Sequence, residues 1–415
     1  MRVAVLNQCE YPQRWEVLTE RVRATLTAAG HEVYMLCPQL GAIPSGAADT
    51  HRIVPMLTPG RRVGLVSRIR SAPLPINPFW VLWLRRALRD HRIDVLIVRD
   101  LRLSLPGLLA GQQVGVPVIL YLVENYAGMV RAYGRQRASH WILRQPAIVE
   151  ALEFACARRA DRVWVVAEEN ARRLAGGGVS PDRIRVIHNV PDANVPLPRI
   201  TLGQPTPSAP LLLFFVGQVS RMRCLDRVLE GLTHLDDATR ARVKLVVAGD
   251  GEELPHLRRL AATLHLTEQV EFLGWRPLSE VAHTLVGQRC IGLVPHHVNE
   301  LTDMTVPNKL FDYMAMGLPV LVTSARPLRR IVEAERCGWA VPDTAAEIAQ
   351  GVRAAVETPL RELREMGQRG FDAVVSRYSW ASYERLICHD VAQLGGRKRG
   401  TPAGSPGPQV EEVRG

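Results

Sequence analysis

The sequence predicts an α/β protein of two doubly wound, Rossmann-like parallel sheets in two domains. Three observations predict it. Short apolar runs alternate with helix-length amphipathic stretches in both halves of the chain. Several runs, VKLVVA and LPVLV among them, are apolar without alternation, as strands buried on both faces require. Between the halves lies PLPRITLGQPTPSAP, too rich in proline and small residues for helix or sheet. At 415 residues the chain is long enough for two cores. The expected parts are a first domain over 1–195, a linker over 196–210 and a second domain over 211–377. A helix over 378–394 and a disordered tail over 395–415 follow.

The elements read in order as follows. Val3 to Leu6 opens the fold as a strand, a helix ends at Gly30, and HEVYMLCP is the second strand. The loop between carries Asn7, Gln8 and Cys9 and no glycine, so no phosphate site is read there. Residues 41–75 are irregular and rich in Pro, Gly and Arg. NPFWVLWLRRALRDHR, 77–92, predicts an amphipathic helix with Phe79, Trp80 and Trp83 beside Arg85, Arg86 and Arg89. That composition suits the edge of a membrane, or a core helix with a solvated basic side. IDVLIVRD and VPVILYLVEN are strands, the second ending on Glu124 and Asn125, with Glu124 a candidate acceptor-side residue. AGMVRAYGRQR, 127–137, reads as a basic loop, and DRVWVVAEENARRL and RIRVIHNVPD as two further β-α steps. LLLFFVGQVS, VKLVVAGDG, QVEFLGW, RCIGLVP and LPVLVTS are the strands of the second half.

Composition narrows the function classes. With 47% hydrophobic and 22% charged residues the chain is ordinary for a globular protein. No apolar run approaches the roughly 18 residues of a membrane-spanning helix. MRVAVLNQ reads as a strand, not a signal peptide. The seven cysteines are scattered singly, which suits reduced thiols in a cytoplasm and argues against structural zinc. Residues 1–200 hold 27 Arg and no Lys against 16 Asp and Glu, whereas 201–415 balance at 25 against 25. All of the net +11 therefore lies in the first half, which suggests an anionic partner. No aromatic-and-basic platform or reading helix points to nucleic acid. No G-x-x-x-x-G-K-[ST] is present, nor a G-x-G-x-x-G after the first strand.

Chemistry concentrates in four loops of the second half, each at a strand's carboxyl end. In GQVSRMRCLD, Gly217 permits close backbone approach, and Arg221 and Arg223 offer charge-assisted bonds to a diphosphate. In AGDGEE, Gly249 and Gly251 permit a tight turn against a nucleotide, with Glu252 following. After FLG, Trp275 and Arg276 are available to stack on or bond to a base. HHVNELTDMT then runs into VPNKLFDYMAMGLPVLV, 306–322, which reads as loop, short helix and buried strand. Pro307 presets φ for a first helical turn, Thr305 is the expected cap, and Gly317 stops the helix. The turn from Thr305 through Pro307 to Asn308 is a plausible phosphate cradle, Lys309 adds a cation, and Asp312 is placed for a sugar hydroxyl. His296 is expected to line this site. Adjacent strand residues face opposite ways, so His296 and His297 are not read as a metal pair.

The run P-N-K-L-F-D-Y-M-A-M-G-L-P-V resembles the donor-site signature of retaining glycosyltransferases of family 4, in the branch P-N-K-L-F-E-Y-M-A-x-G-x-P-V. The resemblance extends over 211–322, and the first half matches only as a pattern of strands and helices. It implies the B-type glycosyltransferase architecture: two Rossmann-like domains facing across a cleft, donor in the second, acceptor in the first. It further implies transfer of a hexosyl unit from a nucleoside-diphosphate sugar to a hydroxyl, with retention, no bound metal and no prosthetic cofactor. Arg223, Lys309 and the backbone over 305–308 would then stabilise the leaving diphosphate, and Asp312 would hold a donor hydroxyl. Two departures stand out. The family usually has a cation where Gln218 stands, and its commoner signature has two glutamates separated by seven residues. Asp312 takes the second of these positions and Met304 the first, with Glu300 and Asp303 the nearest acids. The expected acceptor is anionic and polyprenyl-linked, met at the inner face of the plasma membrane from the cytoplasm. A noncatalytic sugar-nucleotide-binding subunit is the alternative that Met304 and Gln218 favour.

Overall fold

A computed structural model describes residues 1–8, 17–38, 52–56, 72, 74–133, 145–191, 197–206 and 208–396. Cys9, most of 41–75, the end of the basic loop at 134–137 and nearly all of the tail lie outside the described residues. The strands are β1 (Arg2–Leu6), β2 (Glu32–Cys37), β3 (Arg52–Pro55), β4 (Val95–Arg99), β5 (Val118–Leu122), β6 (Arg162–Val165) and β7 (Ile184–Val186), then β8 (Leu211–Val216), β9 (Val243–Ala248), β10 (Val270–Phe272), β11 (Cys290–Val294), β12 (Val320–Thr323) and β13 (Gly338–Val341). They form two sheets, ordered β3-β2-β1-β4-β5-β6-β7 and β10-β9-β8-β11-β12-β13. The registered pairs are parallel: Val3 lies opposite Val33 on one side and Val95 on the other. Central strands carry the unbroken apolar runs because helices cover both faces, leaving Val3, Ala4, Leu213, Phe214 and Ile291 without solvent exposure.

In each sheet the order reverses at one place, between β1 and β4 and between β8 and β11. Loops leaving neighbouring strands diverge there and open a crevice at the carboxyl ends. Two contacts fix what lines the crevice of the six-stranded sheet. Gly292 of β11 faces the Tyr313 ring so closely that a Cβ would sit 2.3 Å from it. Tyr313 Oη, in turn, accepts from the Val216 N–H at the end of β8, at 2.9 Å. The helix Asn308–Ala315 is thereby clamped against both strands, and Gly317, at φ +74°, turns the chain into β12.

By Cα proximity the chain divides into two compact units. One comprises Met1–Tyr121, Arg159–Arg162 and the described residues from Leu386 on; the other comprises Leu122–Arg158 and Val163–Arg385. The division falls inside the helix Trp380–Gly395. In the first unit, Arg162 Nε donates to the fully buried Asp390 at 3.1 Å. In the second, His188 meets Tyr383 through Nδ1 at 2.6 Å and packs edge to face with Phe311 and Tyr378.

Two local readings change. The stretch taken for a basic loop is a helix, Tyr126–Tyr133, because Asn125 Oδ1 caps it by accepting from the Gly128 N–H at 3.1 Å. The aromatic helix runs over Pro78–Asp90, inside the expected 77–92, with Asn77 as its N-cap and His91 as its C-cap, but its aromatic residues part company. Trp80, Leu84, Ala87 and Leu88 form the inward stripe, and Trp80 Nε1 donates to the Ala72 carbonyl at 3.1 Å. Phe79 and Leu82 face outward, 40% and 57% exposed. Among the described residues no helix is long and apolar enough to cross a membrane.

Candidate functional site

The crevice at β8 and β11 gathers three nitrogen-bearing side chains. After β8, Gly217 adopts φ +110°, open chiefly to glycine, and a short 3₁₀ turn, Arg221–Arg223, follows. After β11, His296 is fixed by exchanging hydrogen bonds with Thr323: its N–H donates to Oγ1 at 2.8 Å and its carbonyl accepts at 2.7 Å. Arg223 Nη1 then donates to His296 Nε2 at 2.7 Å. A guanidinium has no acceptor, so His296 Nε2 must be unprotonated and the ring neutral with its proton on Nδ1. Burial, with Arg223 and Lys309 beside it, holds His296 well below its ordinary pKa, in agreement with that assignment.

Lys309 completes the group. It lies in the first turn of Asn308–Ala315, is buried, and sets its Nζ 3.6 Å from the centre of the Phe215 ring. Among the described residues, neither Lys309 Nζ nor Arg223 Nε has a hydrogen-bond partner. Burial, then Arg223, pulls the ammonium pKa well down, while Asp312 works the other way. Two cations in one buried place, with nothing accepting from these atoms, form a cradle for an anion. Glu124 and Tyr133 are close enough to Arg223 to act on its charge, and burial is the main cause lowering it.

The other predicted residues divide. Thr305 is not the cap. It is extended, and Pro307 takes the N-cap position with φ −72° and ψ 140°, making no side-chain cap bond. The residue before a proline avoids the α region, so Val306 delays the helix to Asn308. The open N–H groups of that first turn remain, as the cradle reading requires. Asp312, partly exposed, is one turn in from Asn308. Gly249 and Gly251 face protein: Cβ atoms there would come within 2.0 Å of the Gly217 carbonyl and 2.1 Å of the Val219 carbonyl. They let two loops pack, which is a different reason from a turn against nucleotide. Trp275 stands 66% exposed, and Arg276 turns to Glu280 at 3.2 Å.

The two acids nearest the Met304 position are committed elsewhere. Asp303 accepts from the Arg326 backbone N–H at 2.8 Å and pairs with its Nε at 3.3 Å. Glu300 pairs with Arg131, and its carbonyl accepts from Asn125 Nδ2 at 3.1 Å. A cavity of about 510 Å³ lies there, its wall including Arg221, Glu252, Glu300, Arg131 and Tyr133. Asn125, Arg131 and Tyr133 were not singled out from sequence; their signal is a polar strand end followed at once by a capped helix. His297 faces away from His296, with Nδ1 3.4 Å from Asp343 and Nε2 3.8 Å from Asp226. Cys224, Asp226 and His297 offer ligand atoms within 4.8 Å of one another. Burial, with Asp226 and Asp343 nearby, pushes the Cys224 thiol far up.

A second charged cavity was not foreseen. Its volume is about 850 Å³, and Arg172, Arg173, Arg326, Arg329, Arg330, Glu169, Glu333 and Met304 line it. The sequence signal was a doubled arginine in each of two β-α steps, ENARRL and RPLRRIV.

Two family models match the chain: Glycosyltransferase Family 4 over residues 16–194 and Glycosyl transferases group 1 over 203–372. WcaL of Escherichia coli (strain K12), named as a colanic acid biosynthesis glycosyltransferase, is 27% identical over 57% of each chain. The chain thus spans little more than half the length of that relative. The 2-deoxystreptamine glucosyltransferase of Streptomyces kanamyceticus is 27% identical over 73% of this chain and 82% of its own. Among solved structures, Anabaena HepE in complex with UDP superposes with TM-score 0.69 at 15% identity, over 95% of this chain and 100% of that one.

Proposed function

We propose that this chain, whose two family matches and fold indicate a GT-B glycosyltransferase, moves a hexosyl unit from a nucleoside-diphosphate sugar to an acceptor hydroxyl with retention of configuration. The observation that carries the reading is the pair of cations, buried Lys309 and half-buried Arg223, with Nζ and Nε lacking hydrogen bonds beside a helix N-terminus. In the reaction the bond between the anomeric carbon and the diphosphate oxygen breaks, and negative charge grows on that oxygen. The acceptor oxygen bonds to the same face of the sugar and its proton passes to the departing diphosphate. Fixed cations and first-turn N–H groups stabilise the growing charge without reorganising, which lowers the barrier. They do the work that a divalent ion does elsewhere, so neither metal nor prosthetic group is required. His296, neutral and locked by Thr323, positions Arg223, while Asp312 orients a donor hydroxyl and Glu124 faces the acceptor.

The relatives act in surface-glycan and small-glycoside synthesis by name, and a UDP complex exists for one neighbour of the same fold. A UDP-linked hexose is accordingly the first donor to try. The charge of the first 200 residues and the outward Phe79 and Leu82 favour an anionic, polyprenyl-linked acceptor at the inner face of the plasma membrane, reached from the cytoplasm.

The test measures nucleoside-diphosphate release from a panel of nucleotide sugars, with and without a polyprenyl-diphosphate-linked saccharide, and reads the product's anomeric configuration by NMR. Acceptor-dependent release with a retained anomer is expected. Tight binding with no release from any donor would make the chain a sugar-nucleotide-binding subunit instead. An inverted product would remove the assignment of retention.

A further inference from the structure

We infer that the arginine-walled cavity is a second oxyanion site, built from other residues than the cradle, and that it takes the phosphate group of the acceptor. The word acceptor rests on the transferase reading; the binding of a phosphate does not.

The wall comes from two helices, Glu168–Gly176 and Arg326–Glu335. Spacing of three and four places Arg326, Arg329 and Arg330 on one face of the second, while Arg172 and Arg173, adjacent in the first, both reach the cavity. Part of this is a latch. Arg330 donates to Glu169 at 2.7 Å and to Glu168, Arg326 is held by Asp303, and Arg173 by the buried Glu153. A latch explains those three arginines and leaves the rest unexplained.

Arg172 and Arg329 are the remainder. Their nearest carboxylates, Glu169 and Glu333, stand 3.9 and 4.0 Å away, beyond hydrogen-bond distance. Both side chains are more than half exposed, at 69% and 56%. Exposed pairs this loose are worth little and exchange readily for a better acceptor. Arg173 adds a separate sign: its Nη1 is buried without a hydrogen bond, 3.8 Å from Glu150. Arg173, Arg326 and Arg330 are thus held by close carboxylates, and Arg172 and Arg329 are the two guanidinia of the wall held only loosely.

Met304 sharpens the case. It lines this cavity, and it occupies the position where the resembled signature carries its first glutamate. A carboxylate there would offer a neighbouring arginine a further partner; methionine offers none. One bidentate guanidinium satisfies a carboxylate, whereas a phosphate, with charge of about −1.5 to −2 and three terminal oxygens, uses several. The volume of about 850 Å³ leaves room for the group that bears the phosphate.

Calorimetry on the full chain tests this, with UDP present in excess to fill the cradle. The probes are a hexose phosphate, inorganic phosphate and glucuronate. Wild type is expected to bind hexose phosphate more tightly than the other two. Arg172→Gln with Arg329→Gln should weaken it at least tenfold, and Met304→Glu, which keeps both arginines, should do likewise. Variants that titrate like wild type would overturn the site. Equal affinity for inorganic phosphate would overturn its assignment to the acceptor, and tighter glucuronate binding its assignment to phosphate. If UDP itself fails to bind wild type while the arginine variants still lose hexose phosphate, the cavity stands and the donor reading falls.

Discussion

The cradle and the arginine cavity hold positive charge in opposite ways. Lys309 is buried, its single nitrogen bonded to nothing and resting on a phenyl ring. Arg330, in the cavity, is partly exposed and bonded to two carboxylates. The chain's net charge gives no hint of the contrast, because the whole +11 sits in residues 1–200 while both cradle cations lie in the neutral remainder. A cation matched by carboxylates contributes to the fold. One buried without them costs stability and is explained by an anion that arrives later. The same reasoning ranks the experiments.

The largest effect is expected at Lys309. Lys309→Met should cut nucleoside-diphosphate affinity about tenfold to a hundredfold, the equivalent of a charge-assisted bond of roughly 1.5–3 kcal/mol. Its melting temperature should hold or rise, because an uncompensated buried charge has gone. Arg330→Met should do the reverse, leaving Glu168 to His188 alone and the buried Glu169 without its hydrogen-bonded cation, at a cost of roughly 1–3 kcal/mol while nucleotide binding persists. Calorimetry and thermal melts on the two variants decide it. If Lys309→Met melts early and Arg330→Met loses the nucleotide, the comparison is inverted and the cradle is misplaced.

Asp312 comes next. Asp312→Asn keeps the size and loses the charge, so folding should survive while turnover falls by tenfold or more. Asp312→Glu should retain most activity, since glutamate is the usual residue of the resembled signature. Full activity in Asp312→Asn would remove Asp312 from the donor contacts.

How far the sequence revealed this depends on range. The strands were legible as unbroken apolar runs, and the helix carrying Lys309 and Asp312 as a spaced pattern ended by Gly317. Thr305 has the side chain of a cap, but Pro307 keeps Val306 out of the α region, so the helix starts two residues too late for Thr305 to cap it. The roles of Gly249 and Gly251 depend on a loop more than thirty residues away. Arg330 and Glu168 are 162 positions apart, and no local pattern announces such a pair. The aromatic helix was legible in existence but not in phase. Trp80, Leu84, Ala87 and Leu88 do repeat at helical spacing, yet Phe79, Leu82, Trp83 and Arg86 repeat equally well.

A smaller effect should appear in pH dependence. Burial pushes the Glu153 carboxyl up to about 7 against the pull of Arg173. Its folded value therefore exceeds its ordinary 4.5, and folding takes up a proton between these values. The stabilisation is full below about pH 4.5 and is lost as pH rises to about 7, with no further change above. Glu168 has the opposite sign: the hydrogen bond and charge of His188, with Arg330, hold it down to about 2 against burial, so its contribution is lost as pH falls toward that value. Urea unfolding of wild type and Glu153→Gln at pH 5 and pH 8 separates the terms. Wild type should lose more stability on going to pH 8 than the variant does. Equal losses would show that Glu153 is not ionising in that window.

The smallest and most salt-sensitive effect concerns the membrane, and it extends the comparison to a third kind of charge. In the helix Pro78–Asp90, Phe79 and Leu82 face outward beside Arg86 and Arg89, with Ile76, 79% exposed, just ahead of it. These arginines are surface cations: Arg86 has a loose exposed partner in Asp90 at 3.2 Å, and Arg89 is exposed. Each basic residue near an anionic surface contributes about 1 kcal/mol, so a few suffice only for weak, reversible attachment. Vesicles of anionic lipid should therefore pellet the protein at low salt and release it at high salt. Replacing Phe79 and Leu82 with Ser should weaken pelleting without lowering the melting temperature, because neither belongs to the inward stripe with Trp80. Arg86→Gln with Arg89→Gln should act alike and also flatten the salt dependence. Trp80→Ser, by contrast, should unfold the region whether or not lipid is present. Pelleting unchanged by the serine variants would place the contact elsewhere on the basic surface. No pelleting at any ionic strength would leave a soluble acceptor, and the charge of the first 200 residues would then serve that acceptor and not a bilayer.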